Sequence, residues 1–312
     1  MLTCYIYSNQ NFTFVQIIKT IKMKNLLSLS LMVALAIGFA SCKKNSTTAD
    51  GKNHLGYIST TTTTTPVIIP LPVGDVPATF TKKAVIEEFT GEWCQYCPDG
   101  GLIMDALCAG NNKIYGAAIH DGDFLTIEPF YTQITGLLPN TYGFPGATVD
   151  REPYGGENIF SRSSWGAAAN ICLGKVADCG LAMKNTEKNN TLDISVYCGY
   201  NKKISSDTKV TIYLLEDKVD MISQVNAPVG YMHNHVVRKV ITATVGDAVS
   251  LTDMNKKYAL LEFKGIDLVA AKIGNKANAK VLAFINVNGA DKMSHHILNA
   301  QEAGLNETKK WD

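Results

Sequence analysis

Residues 88–100 read EFTGEWCQYCPDG: two cysteines three positions apart, behind a tryptophan and ahead of a proline. The segment before it, AVIEEF at 84–89, is apolar and reads as a strand. The segment after it, GGLIMDALCAG at 100–110, carries Leu102, Ile103, Ala106 and Leu107 at helical spacing. A strand therefore delivers the chain to Trp93, and a helix is expected to begin at or just after Cys94. Unpaired N–H groups and the helix dipole at that point stabilise a thiolate. Cys97, about one turn on, is placed to attack a mixed disulfide formed at Cys94. Gly100 and Gly101 lower the helix propensity of this turn, by about 1 kcal/mol each relative to alanine, so the fold must hold the helix in place. Zinc needs four ligands, usually two such pairs, and the chain has no second CxxC. A purely structural bridge over so short a loop is uncommon. A redox dithiol is the leading reading.

Composition is that of an ordinary globular protein, and at 312 residues the chain is long enough for one large domain or two of medium size. The net charge of +1, with basic residues scattered, argues against a nucleic-acid partner. Eight cysteines, at 4, 42, 94, 97, 108, 172, 179 and 198, acquire meaning only with a compartment. The stretch from Met23, MKNLLSLSLMVALAIGFASCKKN, supplies one. A lysine leads an apolar run too short to span a bilayer comfortably, and small residues run into Cys42. This resembles a bacterial lipoprotein signal at 23–41, with Cys42 the lipidated first residue of the mature chain and 1–22 an upstream start-site extension. Export makes disulfides permissible.

Residues 42–80 then read as a Thr- and Pro-rich tether, with six threonines at 60–65. Its apolar patch PVIIPLPV is a candidate to dock on the globule, though its prolines argue against a central strand. Residues 81–174 alternate strand and helix: strands at 84–89 and 114–120, helices at 100–110 and 126–138, a turn into a short strand at 143–150, and a helix at 158–173. That is an α/β pattern. Residues 175–312 switch to spaced strands: 176–183 and 191–200 around the polar KNTEKNN, then 209–217, 234–241, 258–265, 281–289 and 295–303. They predict an all-β sandwich.

VIEEFTGEWCQYCP resembles the active-site segment of thioredoxin-like proteins. That resemblance implies Glu88 as a buried acid serving the proton of the second cysteine, and Pro145, in GFPGATVD, as the cis-proline facing the dithiol. More closely, EEFTGEWCQYCPDG, AIHDGD, GFPGATVDR and YMHNHVVRKV together resemble the outer-membrane-protein-28-related lipoproteins of Bacteroidetes, over about residues 80–300. The resemblance implies a thioredoxin-like domain followed by a β-sandwich, and says little about activity. Gln95-Tyr96 departs from the Gly-Pro of thioredoxin. That pair tunes the potential, so oxidant and reductant both stay open.

The expected site is Cys94, Cys97, Pro145 and Glu88, with Trp93, Tyr96, Phe144 and His120 as neighbours. His120, at a strand C-terminus, either sits near Cys94 or is a loop histidine bonded to Asp121 or Asp123, the latter being preferred. His233, His235, His295 and His296 lack companions at metal-ligand spacing, and no calcium loop surrounds Asp121 and Asp123. Neither a metal nor another cofactor is expected. Cys179 and Cys198 flank KNTEKNN almost symmetrically, which suggests a cross-strand disulfide; the alternative is two buried thiols. Cys108 and Cys172 remain unassigned. Two functions follow: a lipid-anchored thiol–disulfide oxidoreductase acting on thiols or disulfides of exported proteins, or a non-catalytic envelope lipoprotein whose β-sandwich engages a partner protein. Both place the chain at the cell envelope, on either face of the outer membrane.

Overall fold

The computed structural model describes residues 57–58, 67–68, 71–138, 143–201, 208–220, 223–249, 258–291 and 294–312. The start-site extension, the signal segment and Cys42 lie outside the described residues. The described residues form one compact unit.

The first half supplies strands β1 (Ala84–Thr90), β2 (Ile114–His120), β3 (Gly146–Val149) and β4 (Phe160–Ser161), and helices α1 (Cys97–Gly110), α2 (Phe130–Leu137) and α3 (Trp165–Leu173). The second half supplies β5 (Cys179–Lys188), β6 (Thr191–Tyr200), β7 (Thr208–Glu216), β8 (Val236–Val240), β9 (Tyr258–Asp267), β10 (Ala279–Val287), β11 (Ile297–Gly304) and β12 (Thr308–Lys309). The chain is mostly β, built on two sheets. The larger runs β11-β10-β7-β8-β2-β1-β3-β4, and the smaller β9-β6-β5-β12.

The expected division at 174/175 does not separate two sheets. β2 pairs in parallel with β1 on one side and with β8 on the other, through Val236 and Ala118. Strands of both halves are thus woven into one sheet. Alternation along β7 explains why both faces are covered. Ile212 and Leu214 pack with Leu181, Met183, Ile194 and Val196 of the small sheet. Tyr213 and Leu215 pack on the other face with Phe130 and Ile134 of α2. On β1, Ala84 and Ile86 meet Met104 of α1 and Trp165 of α3. The sandwich is therefore real but shares its larger sheet with the α/β half.

Several boundaries move for local reasons. Residues 160–161 pair with β3 instead of starting a helix, so α3 begins only at Trp165. α2 begins after Pro129 instead of containing it. The polar KNTEKNN is not all turn: β5 continues to Lys188, and Asn189 and Asn190 alone turn the chain, with φ of 54° and 63°. Asparagine tolerates these left-handed values, which two-residue hairpins require. The end of the apolar patch, Leu71 to Val73, does dock, so the expected tether stops short of residue 80. Val73 is buried with Ala182 and Tyr197, beside Leu71 and Trp311.

Candidate functional site

β1 is buried at all seven positions and runs directly into the cysteine segment. Cys94 and Cys97 are joined by a disulfide, with Cα atoms 5.4 Å apart. The helix starts at Cys97 and not at Cys94, which sits in the turn before it. Pro98 is tolerated there because first-turn N–H groups have no helical acceptor. The Cys94 N–H bonds the Gly91 carbonyl at 3.1 Å. Trp93 and Tyr96 are 48% and 55% exposed, whereas Cys94 and Cys97 are 4% and 1% exposed. The rim is open and the sulfurs are closed in.

Glu88 and Pro145 come to the same helix turn. A β-carbon added at Gly100 would lie 2.6 Å from Glu88 Oε1 and 2.8 Å from Pro145 Cβ. The Phe144–Pro145 peptide is cis, as the resemblance implied, and the Phe144 ring meets Trp93 at 4.9 Å. Glu88 is buried and Oε1 has no hydrogen-bond partner among the described residues. Burial, helped by the charge of Asp105, raises its pKa well above the carboxylate range. Burial thus favours its protonated form.

His120 bonds Asp123, the preferred one of its two expectations, with Nδ1 2.6 Å from Oδ2. The same Asp123 oxygen accepts from the Glu92 N–H at 3.0 Å. Burial would raise the Asp123 carboxyl, but the hydrogen bond and charge of His120 outweigh it and hold the pKa low. The Trp93 indole donates to the Asp121 carbonyl at 2.8 Å. The loop after β2 thus fixes the approach to the cysteines.

Between β7 and β8, the described residues 217–220 and 223–235 form a strap. Reciprocal backbone bonds between Val219 and His233 close its base, both 2.9 Å. Its far part reaches the cysteine turn. The Val225 N–H bonds the Glu92 carbonyl at 2.8 Å, and Gln224 and Asn226 donate to the carbonyls of Cys94 and Gln95, both at 3.1 Å. Tyr231 meets His233 edge-on, and His233 meets His120 edge-on, each pair with centroids 5.0 Å apart. The sequence singled out YMHNHVVR without saying what it touches, and gave no sign of Gln224 or Asn226, because strap-to-turn contacts leave no periodicity.

The other histidines do not converge. His235 lies near Asp105 and Asp217, His296 near Glu152, and His295 near Asn288. Cys179 and Cys198 are free and buried, against the expected bridge. The hairpin turns at Asn189-Asn190, so Cys179 faces Tyr200 and Cys198 faces Leu181. Burial pushes the Cys179 thiol up to about 12. Cys108 and Cys172 are also free, each raised to about 12 chiefly by burial.

The model of the family described as outer membrane protein Omp28 matches residues 139–309. Among solved structures, HBP35 of Porphyromonas gingivalis matches with a TM-score of 0.66 at 22% identity, covering 74% of this chain and 78% of that one. At that identity the likeness speaks to fold alone. No curated protein matches. No helix among the described residues is long and apolar enough to cross a membrane.

Proposed function

The chain belongs to the outer membrane protein Omp28 family, and on that premise we propose a cell-envelope thiol–disulfide oxidoreductase that works through Cys94 and Cys97. The observation that carries the reading is the convergence of the Cys94–Cys97 disulfide, buried Glu88 and Pro145 on one turn of α1. Order and pairing support a thioredoxin-like module at 81–174: β2-β1-β3-β4, with β1 and β2 parallel and β3 and β4 antiparallel to their neighbours. The module has α1 and α3 on one face and α2 on the other. The β-rich remainder, 175–312, extends its sheet.

In the exchange, a thiolate of an exported protein attacks Cys94 Sγ. The Cys94–Cys97 bond breaks, a mixed disulfide forms, and Cys97 leaves as a thiolate. Glu88 gives that thiolate a proton. A second substrate thiol then displaces Cys94, releasing an oxidised substrate and a reduced dithiol. Run backwards, the same steps reduce a substrate disulfide. The chain reaches the membrane through lipidated Cys42, so Cys42→Ser should be exported yet leave the membrane fraction. Quantitative retention there would remove the anchor.

Burial of both sulfurs favours a second reading, an inert bridge in a partner-binding lipoprotein. Trapping separates the two. Cys97→Ser should accumulate mixed disulfides through Cys94 with exported proteins, and Cys94→Ser far fewer. A chain that traps nothing, with a Cys94–Cys97 potential below about −300 mV, is the inert form.

A further inference from the structure

A cleft beside strand β8 takes no part in thiol exchange. It has a volume of about 450 Å³, within the range of ordinary small-molecule sites. It is lined by residues 124–130 of the loop after β2, residues 237–240 of β8, and the turn at 270–272. β8 runs parallel to β2 with Val236 opposite Ala118, so Lys239 and Val240 carry on past the end of β2 at His120. Crevices outside the carboxyl ends of parallel strands are where α/β sheets commonly hold ligands.

The lining joins apolar and basic side chains. Leu125, Phe130, Val237 and Ala271 are buried there, whereas Phe124 is 72% exposed. A single exposed apolar residue is ordinary, but this one carries a cation: the Lys272 ammonium lies 4.7 Å from the centre of the Phe124 ring. Arg238 is already matched. Its Nε lies 3.2 Å from Glu216 Oε2, and its Nη2 donates to the Lys272 carbonyl. Lys239 and Lys272 pair with no carboxylate of the described residues. The acid in the lining is Glu128, which accepts from the Thr132 hydroxyl at 3.1 Å. Set against the two lysines, it leaves the cleft positive. Lys272 also takes a φ of 56°, a conformation usually left to glycine. Glycine would suit that backbone better; what lysine adds is its ammonium.

We propose that this cleft binds a small organic anion, one carboxylate on an apolar body. Lys239 and Lys272 take the carboxylate, and Phe124 covers the apolar body at the mouth. The two halves of the lining select together. An inorganic anion leaves the apolar surface in water, and a neutral apolar molecule leaves both ammonium groups unmatched. A charge-assisted bond gains strength where an apolar body has displaced water around it. The inference goes beyond thiol exchange, since neither Cys94 nor Cys97 lines the cleft.

The test is isothermal titration calorimetry on the full oxidised chain. Octanoate and 4-phenylbutyrate serve as anions with aliphatic and aromatic bodies; 1-octanol and acetate each supply one half alone. Saturable binding of octanoate or 4-phenylbutyrate at one site is expected, with 1-octanol and acetate at least about tenfold weaker. Whichever anion binds more tightly names the body. Lys239→Gln and Lys272→Gln should each weaken binding about threefold, and together about tenfold. Phe124→Ala should weaken the anions and leave acetate unchanged. Circular dichroism should match wild type throughout, because Phe124 and Lys272 are exposed and Lys239 is only partly buried. No saturable binding of either anion overturns the proposal. So does 1-octanol binding as tightly as octanoate, or wild-type affinity in the double lysine variant. The readout is binding and not exchange, so it stands whatever trapping at Cys94 and Cys97 returns.

Discussion

Gln224 donates from Nε2 to the main-chain carbonyl of Cys94 at 3.1 Å, across 130 residues of sequence. Asn226 repeats the contact at Gln95. The cysteine turn belongs to the α/β half and the strap to the β-rich half. A chain cut between the two would lose the cover of its own disulfide.

The strap should therefore set how readily the bond is reached. Each net hydrogen bond contributes about 1 kcal/mol, or roughly fivefold in an opening equilibrium. Gln224→Ala and Asn226→Ala are expected to speed reduction of the disulfide by an added thiol several-fold each. Melting temperature should move little, because one contact is exposed and the other only partly buried. Unchanged reduction rates in the double variant would show that the strap does not gate the sulfurs.

Gly100 sits in a helix, where alanine is ordinarily better by about 1 kcal/mol. Here a β-carbon would press on Glu88 and Pro145. Gly100→Ala should destabilise the chain by about 1–3 kcal/mol. Gly136 of α2 has open space at that position, so Gly136→Ala is expected to leave stability equal or raise it. Urea unfolding of the two variants, run side by side, separates close approach from helix propensity.

Gly100 and Gly101 show what the sequence could and could not carry. Their cost to helix propensity was legible in CPDGG; the side chains that demand them were not. Strand β1, helix α1 and β2 were legible because buried strands and a CxxC-to-helix junction have strong local patterns. The parallel Ala118–Val236 junction was not, since pairing between distant strands leaves no local mark. The Cys179–Cys198 error has a definite origin. Treating all of KNTEKNN as turn misplaced the hairpin axis, and one misjudged axis shifts every cross-strand pair.

Arg151 is buried against Glu87, with Nε and Nη2 2.7 and 2.8 Å from its carboxylate oxygens. Tyr213 of β7 donates to the same carboxylate at 2.9 Å. The cluster joins β1, the turn after β3 and the β-rich half. Arg151→Leu strands a buried carboxylate and should cost about 3–5 kcal/mol. Adding Glu87→Leu removes the orphaned charge and should recover a large part of the loss. A double variant no more stable than the single one would mean that packing around Arg151, and not charge pairing, dominates.

His233 makes the fold sensitive to acid in a defined direction. Its pKa falls from the ordinary 6.5 to about 4 in the folded chain, chiefly through burial. The folded state therefore favours the neutral ring. That contribution is fully present above pH 6.5. It is lost as pH falls toward 4, because the unfolded chain takes up a proton that the folded chain refuses. At 1.36 kcal/mol per unit of pKa difference, the loss between pH 7 and pH 4.5 is about 2 kcal/mol. Asp123, held low by His120, adds a loss of the same sign at lower pH. His233→Phe keeps a buried ring and removes the titration. Its stability, read by urea unfolding at both pH values, should fall less than that of wild type by about 2 kcal/mol. Parallel losses in the two proteins would place the acid sensitivity elsewhere, with the buried carboxylates as the remaining source.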